Sequence, residues 1–390
     1  MISSILDNDL YKFTMQQAVH SLYPRAEVKY GFINRGDTRF PDDFSKYLKA
    51  EVLKMADLKL LDDELDYLHK TCYFLTPVYL EFLQHFRYLP ENVSIEQSDG
   101  KLFIDIKGPW YQTILWEIPL LAMISELYFS LCGHDTISAD ERRILNIKKG
   151  EQLRDSGVDF ADFGTRRRFS MKNQENVLKD LLSIEDNTLI GTSNVFLAKK
   201  YNIKPIGTLS HEWFMFHAGE HGYKRANLAA INAWISVYQG NLGIALADTF
   251  TTDLFLQNFD SVNARLFDGV RQDSGDPYVF VDKLINHYKK LRINPFTKTI
   301  IFSDGLSPAE AVSIKDYCQG KINVSFGIGT NLSNDIGPEP LNIVIKLSDS
   351  RYNADSCWMP MIKLSDVKSK YTGDADEIDI CLRTIKRTLA

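Results

Sequence analysis

Residues 299–310 read TIIFSDGLSPAE and decide the fold. The first four residues form a short apolar run typical of a buried strand, and a turn rich in Ser, Asp and Gly follows it. Ser307 and Glu310 form a capping box with Pro308 at the first helical position, so a helix begins directly behind this strand. The pair Asp276-Pro277 gives the same helix start behind an upstream β-rich run. The stretch therefore predicts a repeated strand-turn-helix unit.

Seven further β-rich runs surround this unit. With it, the eight runs are VDFADFG (158–164), LIGTS (189–193), KPIGTLS (204–210), GIALADT (243–249), LFDGVRQDS (266–274), TIIFSDG (299–305), INVSFGIG (322–329) and IVIKLSD (343–349). Eight buried strands alternating with helical connections predict an α/β fold of the (β/α)₈ barrel type, with a doubly wound sheet as the alternative. The region that the eight runs span is shorter than the roughly 250 residues of a typical barrel. We therefore expect an incomplete, irregular barrel with some helices short or missing.

The chain before the barrel has a different pattern, which predicts an additional N-terminal α+β domain. We expect a helix at 7–22, a strand at 26–33 (AEVKYGFI), helices within 42–87, and a hairpin at 94–108 whose turn is Asp99-Gly100. The apolar run 119–131 contains Glu126, is too short to span a bilayer, and predicts a buried core helix. The predicted domains are 1–140 (N-terminal α+β), 141–350 (barrel) and 351–390 (a C-terminal segment packing back on the N-terminal domain).

Composition excludes several functional classes. The chain is 44% hydrophobic and 25% charged with a formal charge of −6, so it has no positive field for a nucleic-acid backbone. Five widely spaced cysteines without a CxxC pattern argue against a disulfide framework or a zinc site. The N-terminal segment lacks the features of a signal peptide. We therefore predict a cytoplasmic protein that binds neither nucleic acid nor membrane.

The carboxyl ends of the eight runs gather reactive side chains, and barrels build their active sites at these ends. The residues are Asp162, Gly164, Arg166, Ser193, Asn194, Ser210, His211, Glu212, Asp248, Thr249, Arg271, Asp273, Ser274, Ser303, Asp304, Gly305, Gly327, Gly329 and Thr330. Ser, Gly and Asp also terminate strands for purely structural reasons, but arginine, histidine and repeated aspartate together exceed what turns require. We expect an active site at this end of the barrel.

These groups suit a polyphosphorylated sugar. Backbone N–H groups of the glycine-rich ends can bind phosphate, and the Arg271 guanidinium can bind phosphate or carboxylate bidentately. Carboxylates such as Asp248 and Asp273 can hold ribose hydroxyls or Mg²⁺. Barrel-mouth salt bridges are the alternative for Arg271 and Asp273, and Arg167 and Arg168 are expected mainly to coat a helix start. Neither a P-loop nor a GxGxxG motif occurs.

His211 is the histidine with a candidate chemical role. It follows the third run beside Glu212, and the sequence HEWFM departs from the HExxH zinc helix because position 215 is methionine. A histidine at this end of a barrel is a candidate nucleophile or acid-base group. His217 and His221 are spaced for metal binding on a helix, but two ligands alone favour a structural role.

Motifs along nearly the whole chain resemble those of the nicotinate phosphoribosyltransferases, which are type II phosphoribosyltransferases. The matching segments are DLYKFTM (9–15), YGFINR (30–35), GPW and WEIP (within 108–119), DFGTRRR (162–168), GTSNV (191–195), GTLSHEWFM (207–215), ALADTF (245–250), GVRQDSGDP (269–277), FSDGLS (302–307), FGIGTNL (326–332) and KLSD (363–366). The resemblance implies transfer of phosphoribose from phosphoribosyl pyrophosphate (PRPP) to the ring nitrogen of nicotinate. The products would be nicotinate mononucleotide and pyrophosphate, in NAD biosynthesis and pyridine salvage.

The resemblance also implies site roles. Phe163 would stack on the pyridine ring, with Tyr11 of a neighbouring subunit on the other face of that ring. The resemblance places Arg166 and Arg271 on the carboxylate and phosphate groups, Asp248 and Asp273 on the ribose and metal, a phosphorylated histidine at His211, and phosphate on the loops that contain Ser303, Asp304, Gly305, Gly327, Gly329 and Thr330. It further implies ATP as a co-substrate, Mg²⁺ bound with PRPP or ATP, and a homodimer with shared active sites.

Ser193 bears on substrate choice. Nicotinamide-specific relatives have an aspartate at this position, which would accept a hydrogen bond from an amide and repel a carboxylate, whereas serine is neutral and can donate. Ser193 therefore favours nicotinate. The alternatives are a nicotinamide or quinolinate phosphoribosyltransferase, and a catalytically silent nucleotide-binding sensor on the same fold.

Overall fold

A computed structural model describes residues 1–390, which fold around two β-sheets. The strands are β1 (Glu27–Asn34), β2 (Val93–Ser98), β3 (Lys101–Pro109), β4 (Phe160–Asp162), β5 (Leu189–Thr192), β6 (Ile244–Leu246), β7 (Gly269–Gln272), β8 (Thr299–Phe302), β9 (Asn323–Ile328), β10 (Ile343–Arg351) and β11 (Met359–Pro360). The helices are α1 (Leu10–Leu22), α2 (Phe44–Lys54), α3 (Asp62–Thr71), α4 (Pro77–His85), α5 (Trp110–Thr113), α6 (Glu117–Cys132), α7 (Ala139–Asp155), α8 (Met171–Leu182), α9 (Val195–Tyr201), α10 (His211–His221), α11 (Ala226–Tyr238), α12 (Thr252–Asn258), α13 (Ser261–Leu266), α14 (Pro277–Lys290), α15 (Pro308–Cys318), α16 (Thr330–Ser333) and α17 (Ala375–Leu389).

The first sheet is antiparallel, with strand order β11-β10-β1-β3-β2. Its hairpin turns at Asp99 (φ 52°) and Gly100 (φ 73°), the two positive φ angles that a tight hairpin turn requires. The predicted strand at 26–33 and the predicted hairpin at 94–108 are both confirmed. With helices α1 to α6 they form the predicted N-terminal α+β part.

The second sheet is parallel, with strand order β5-β4-β9-β8-β7-β6. The helix starts predicted behind β7 and β8 are confirmed: the Asp276 carboxylate accepts from the amides of Tyr278 and Val279, and Ser307 forms a capping box with Glu310. The α/β fold class is therefore confirmed, as an irregular barrel whose strands do not close into a ring.

Two of the eight predicted barrel strands are wrong. Residues 204–210 form no strand, although the amide of Ile206 donates to the Thr192 carbonyl (2.8 Å) and Thr208 Oγ1 donates to the Ile244 carbonyl (3.1 Å). This segment thus fills the gap between β5 and β6 without regular pairing. The reason lies at Gly207, where φ is +156° and an added Cβ would be 2.9 Å from the Tyr11 amide nitrogen. The beginning of α1 occupies the space that a regular strand would need.

The eighth run belongs to the other sheet. Strand β10 pairs antiparallel with β1, with Ile345 opposite Phe32 and Ile343 opposite Asn34. Strand β1 needs a partner on the side away from β3, and β10 supplies it. The predicted domain limit at residue 350 consequently falls inside β10.

The C-terminal residues contact both parts of the molecule. Met359 in β11 lies opposite Ser350 in β10. The expectation that 351–390 packs on the N-terminal domain does not describe α17, because this helix contacts α12 in the barrel part. There Gln257 Nε2 donates to the Thr388 carbonyl (3.0 Å). Cys381 and Ile385 supply the buried face of α17.

The apolar run 119–131 lies in α6, as predicted. The helical stretch Trp110–Cys132 is long and apolar enough to cross a membrane, but 78% of its most apolar window is buried inside this protein. It is a core helix, which packs against α2 and β10.

Candidate active site

A cavity of about 1020 Å³ lies at the carboxyl ends of the parallel strands and reaches β1 and β10 of the antiparallel sheet. Thirteen of the fourteen predicted site residues line it: Tyr11, Phe163, Arg166, Ser193, His211, Arg271, Asp273, Ser303, Asp304, Gly305, Gly327, Gly329 and Thr330. Asp248, the fourteenth, is completely buried behind the wall. The parallel topology places these strand ends at one edge, as the sequence predicted.

His211 is the first residue of α10 and is held by a hydrogen-bonded network. Its Nε2 lies 3.1 Å from Asp273 Oδ2, and its Nδ1 lies 2.9 Å from Thr249 Oγ1. Asp273 Oδ1 accepts from Arg271 Nη2 (2.9 Å) and from Ser303 Oγ (2.7 Å). A carboxylate can only accept, so the proton of the neutral ring lies on Nε2, and the Nδ1 lone pair accepts from the Thr249 hydroxyl.

The charges of this network are fixed by its surroundings. Burial disfavours the charged form of Asp273, but the neighbouring Arg271 and His211 outweigh burial and hold the pKa of Asp273 well below its ordinary value. Burial, with Lys363 nearby, lowers the pKa of His211 well below its ordinary value. The pair therefore consists of a charged carboxylate and a neutral imidazole at physiological pH.

Asp248 stands behind this pair. Its Oδ2 accepts from Ser274 Oγ, whereas its Oδ1 is buried, has no hydrogen-bond partner, and lies 4.0 Å from His211 Nε2. Burial and the charge of Asp273 raise the pKa of Asp248 to about 6. An unpaired buried carboxylate oxygen is costly and suits a site that a cation completes.

Phe163 and Tyr11 belong to the same chain and line the same cavity. The chain's own Tyr11 therefore lines its own cavity, and the contact of a neighbouring subunit's tyrosine with the pyridine ring stays a prediction. Tyr11 lies there because the Leu10 amide donates to the Ser193 carbonyl (2.8 Å), which fixes the beginning of α1 at the end of β5. Arg166 lies close to this region, with its Nη1 3.7 Å from Glu117 Oε1.

Ser193 lines the cavity, but its hydroxyl donates to Asp9 Oδ1 (2.7 Å). Sequence reasoning missed Asp9, although it lies in the quoted segment DLYKFTM. Burial raises the pKa of Asp9 to about 6 against the opposing effect of the Ser193 hydrogen bond. Asp9 brings a carboxyl group to Ser193 from the beginning of α1, so a serine at position 193 does not by itself keep carboxyl groups out of this part of the cavity.

Sequence reasoning also missed several cations of the cavity. Arg35, Arg167, Lys346, Lys363 and Lys370 all line it. Arg167, expected mainly to coat a helix start, is half-buried, and the loss of solvent together with the neighbouring Arg166 charge lowers its pKa to about 10. Burial lowers the pKa of Lys346 to about 7. These side chains give the cavity the positive groups that an anionic substrate needs.

Arg168 has a structural role, but it forms a buried ion pair and does not coat a helix start as the sequence favoured. Its Nη1 and Nη2 donate to the two oxygens of Asp7, each at 2.7 Å, and both side chains are completely buried. The pair joins the segment that carries Phe163 and Arg166 to the one that carries Tyr11. His217 is structural as well, because its ring nitrogens contact Tyr23 Oη (2.8 Å) and the Trp213 carbonyl (2.7 Å).

Two family models match the chain. The model of the nicotinate phosphoribosyltransferase (NAPRTase) family covers residues 158–383, and that of its N-terminal domain covers residues 6–125. The chain belongs to the nicotinate phosphoribosyltransferase family. It is therefore a member of an enzyme family, and both parts of the fold are included in the match.

Individual relatives agree with this assignment. The chain is 54% identical to a nicotinate phosphoribosyltransferase of Desulforapulum autotrophicum over 99% of this chain and 100% of the relative. It is 47% identical to the one of Chromohalobacter salexigens, covering 99% and 98%. Among solved structures, the nicotinate phosphoribosyltransferases of Porphyromonas gingivalis (TM-score 0.97, 43% identity, 99% and 100% covered) and Vibrio cholerae (TM-score 0.91, 34% identity, 100% and 94% covered) are similar. The resemblance predicted from the motifs is confirmed.

Proposed function

We propose that this protein transfers phosphoribose from PRPP to the ring nitrogen of nicotinate, coupled to ATP hydrolysis through phosphorylation of His211, in the salvage of pyridine for NAD biosynthesis. One observation supports the proposal above the others. A single cavity combines the His211–Asp273 pair with two aromatic side chains, Phe163 and Tyr11, and with a set of cations. These are the groups that a pyridine acid and a pyrophosphorylated sugar require.

In the transfer step the pyridine nitrogen forms a bond to the anomeric carbon of PRPP while the bond from that carbon to the pyrophosphate oxygen breaks. The electron pair leaves with pyrophosphate, and the ring becomes a pyridinium, so no general base is needed. Phe163 and Tyr11 would hold the ring and Arg166 its carboxylate. Arg271, Arg167 and lysines such as Lys363 would hold the phosphates and stabilise the leaving charge.

The protein side chains of this site offer few ligands for Mg²⁺. No group of three His, Cys, Asp or Glu side chains lies close enough together to bind a metal ion alone. Asp248 Oδ1 is buried without a partner and is a suitable oxygen ligand. We propose that Asp248 would help to hold the Mg²⁺ that accompanies PRPP or ATP, and the ion would neutralise phosphate charge.

The His211 geometry supports the proposed coupling to ATP. Because Asp273 accepts the Nε2 proton, Nδ1 is the nucleophilic nitrogen, and the nearby Thr249 hydroxyl can donate to it until ATP binds. The Nδ1–P bond forms as the bond from the γ-phosphorus to the bridging oxygen breaks, and ADP leaves. Water later hydrolyses the phosphohistidine to phosphate. The phosphorylated form would bias substrate affinity, where about 1.4 kcal/mol changes an equilibrium tenfold.

The test is pyrophosphate release with PRPP, Mg²⁺ and one of nicotinate, nicotinamide or quinolinate, with and without ATP. We expect release with nicotinate and stimulation by ATP. Release only with nicotinamide or quinolinate would favour those alternatives, and no release with any of them would favour the silent nucleotide-binding sensor.

The assembly and location of the protein stay predictions. We propose a homodimer with shared active sites, in which the chain's own Tyr11 also lines its cavity. Light scattering on the purified protein tests the homodimer, and fractionation of cells tests the cytoplasmic location.

A further inference from the structure

Gly327 lies directly beneath the ring of Phe163. A Cβ added at position 327 would be 2.3 Å from Cδ2, 2.4 Å from Cε2 and 3.0 Å from Cγ of that ring. Its φ lies outside the left-handed region, so the backbone of β9 would accept any residue here. The three nearest atoms all belong to the aromatic ring, so the requirement for glycine comes from this ring.

Phe163 is fixed on the side of β9. Its amide donates to the Ile328 carbonyl (2.8 Å), and the preceding residue, Asp162, is paired with Ile328 in the parallel sheet. Its carbonyl oxygen lies 3.2 Å from the Cβ position of Gly329. The backbone of Phe163 is thus held against β9, and its half-buried ring lies over Gly327 and lines the cavity.

We propose that Gly327 is a positioning residue for the pyridine ring, and not the phosphate ligand that the family resemblance implies. The inference rests on the proposed function, in which Phe163 is one wall of the ring site. A methyl group at position 327 needs about 3.5–4.0 Å to the ring carbons, whereas 2.3 Å is available. Phe163 would have to move by more than about 1 Å, and the open direction is the cavity where nicotinate binds.

The two roles predict opposite kinetic changes for Gly327→Ala. If Gly327 positions Phe163, the displaced ring narrows the nicotinate site and raises the KM for nicotinate about 10- to 100-fold, the loss expected for a misplacement near 1 Å. The KM for PRPP then stays within about threefold of the wild-type value. If Gly327 binds phosphate, the KM for PRPP rises and the KM for nicotinate does not, which would overturn the inference.

Gly31→Ala is the matched control. Gly31 lies in β1, has no positive φ, and has no atom within 4 Å of an added Cβ. The same substitution there should leave both KM values and the melting temperature unchanged. Wild-type protein that releases no pyrophosphate with nicotinate would refute the proposed function itself, independently of the two glycine variants.

A double-mutant cycle with Phe163→Leu separates positioning from general damage. Leucine lacks the ring that meets Gly327, so Gly327→Ala should have less than about a threefold further effect on the KM for nicotinate in the Phe163→Leu background. Independent, multiplying effects would contradict the inference. If Gly327→Ala alone does not fold, recovery of folding in the double variant supports it, and failure of both variants to fold counts against it.

Discussion

Replacing Asp273 with asparagine should abolish phosphorylation of His211 by changing which ring nitrogen carries the proton. Asp273 Oδ1 accepts from Arg271 and Ser303, so the NH₂ group of an asparagine cannot occupy that position, where three donors would meet. The NH₂ group must take the position of Oδ2 and donate to His211 Nε2. The ring proton then moves to Nδ1, and the nucleophilic lone pair is lost.

The expected loss of labelling rate in Asp273→Asn has two causes. The hydrogen bond from His211 Nε2 to a charged acceptor contributes about 1.5–3 kcal/mol, which corresponds to a factor of roughly 10 to 150 in rate. The reversed tautomer costs more, since in serine proteases the comparable aspartate-to-asparagine change lowers kcat about 10⁴-fold. We therefore expect the labelling rate to fall by at least about 100-fold, toward about 10⁴-fold.

The assay is rapid-quench labelling with γ-³²P-ATP, with the protein denatured at alkaline pH because phosphohistidine is labile to acid. His211→Ala gives the zero level. Ser303→Ala is the matched control, since it removes one donor to Asp273 Oδ1 but leaves the bond of Oδ2 to His211, and it should lower the rate less than about tenfold. Labelling of Asp273→Asn at the wild-type rate would refute the tautomer argument, and labelling of His211→Ala would refute the site.

Three other predictions concern stability and specificity. Arg168→Met leaves the buried Asp7 carboxylate without its partner. It should lower the free energy of unfolding by about 3–5 kcal/mol and the Tm by about 4–6 °C for a chain of this length. Calorimetry measures the Tm, and an unchanged value would contradict the prediction. Folding raises the pKa of Asp9 to about 6, so this residue lowers stability as the pH rises from about 4 to about 6. Asp9→Asn should therefore raise the free energy of unfolding by at most about 3 kcal/mol at pH 7.5 and leave it unchanged near pH 4. An equal gain in thermal melts at both pH values would exclude this cause. Ser193→Asp places a second carboxyl beside Asp9 and should weaken nicotinate binding at least tenfold more than nicotinamide binding. Titration calorimetry measures both affinities, and an equal effect on the two ligands would show that Ser193 does not belong to the ring site.

Local sequence signals predicted those parts of the fold that short segments determine. The Asp99-Gly100 turn and the Ser307 capping box lie where expected because the residues that form them are adjacent in the chain. The run IVIKLSD was correctly predicted to be a strand but was placed in the wrong sheet. Its apolar pattern does not encode its partner, which is β1, more than 300 residues earlier in the chain.

The candidate site was predictable where its residues end parallel strands, because topology alone brings those ends together. Asp9, Lys346 and Lys363 were missed because they reach the cavity from α1's start, from β10, and from the segment behind β11. Lysine is ordinarily exposed, yet Lys363 is only 6% exposed. The position of the chain's own Tyr11 could not be predicted from local sequence either. It depends on the contact of α1 with Ser193, which joins segments far apart in the chain.

The position of β10 has a consequence for how the protein is made. The antiparallel sheet begins with residues near the N-terminus, but β1 lacks one of its two neighbours until residue 351 has left the ribosome. During most of synthesis β1 therefore presents an unpaired edge, which is the kind of surface that pairs with other chains. We expect a fragment of residues 1–140 to aggregate when expressed alone, and the nascent chain to depend on chaperones until β10 has left the ribosome.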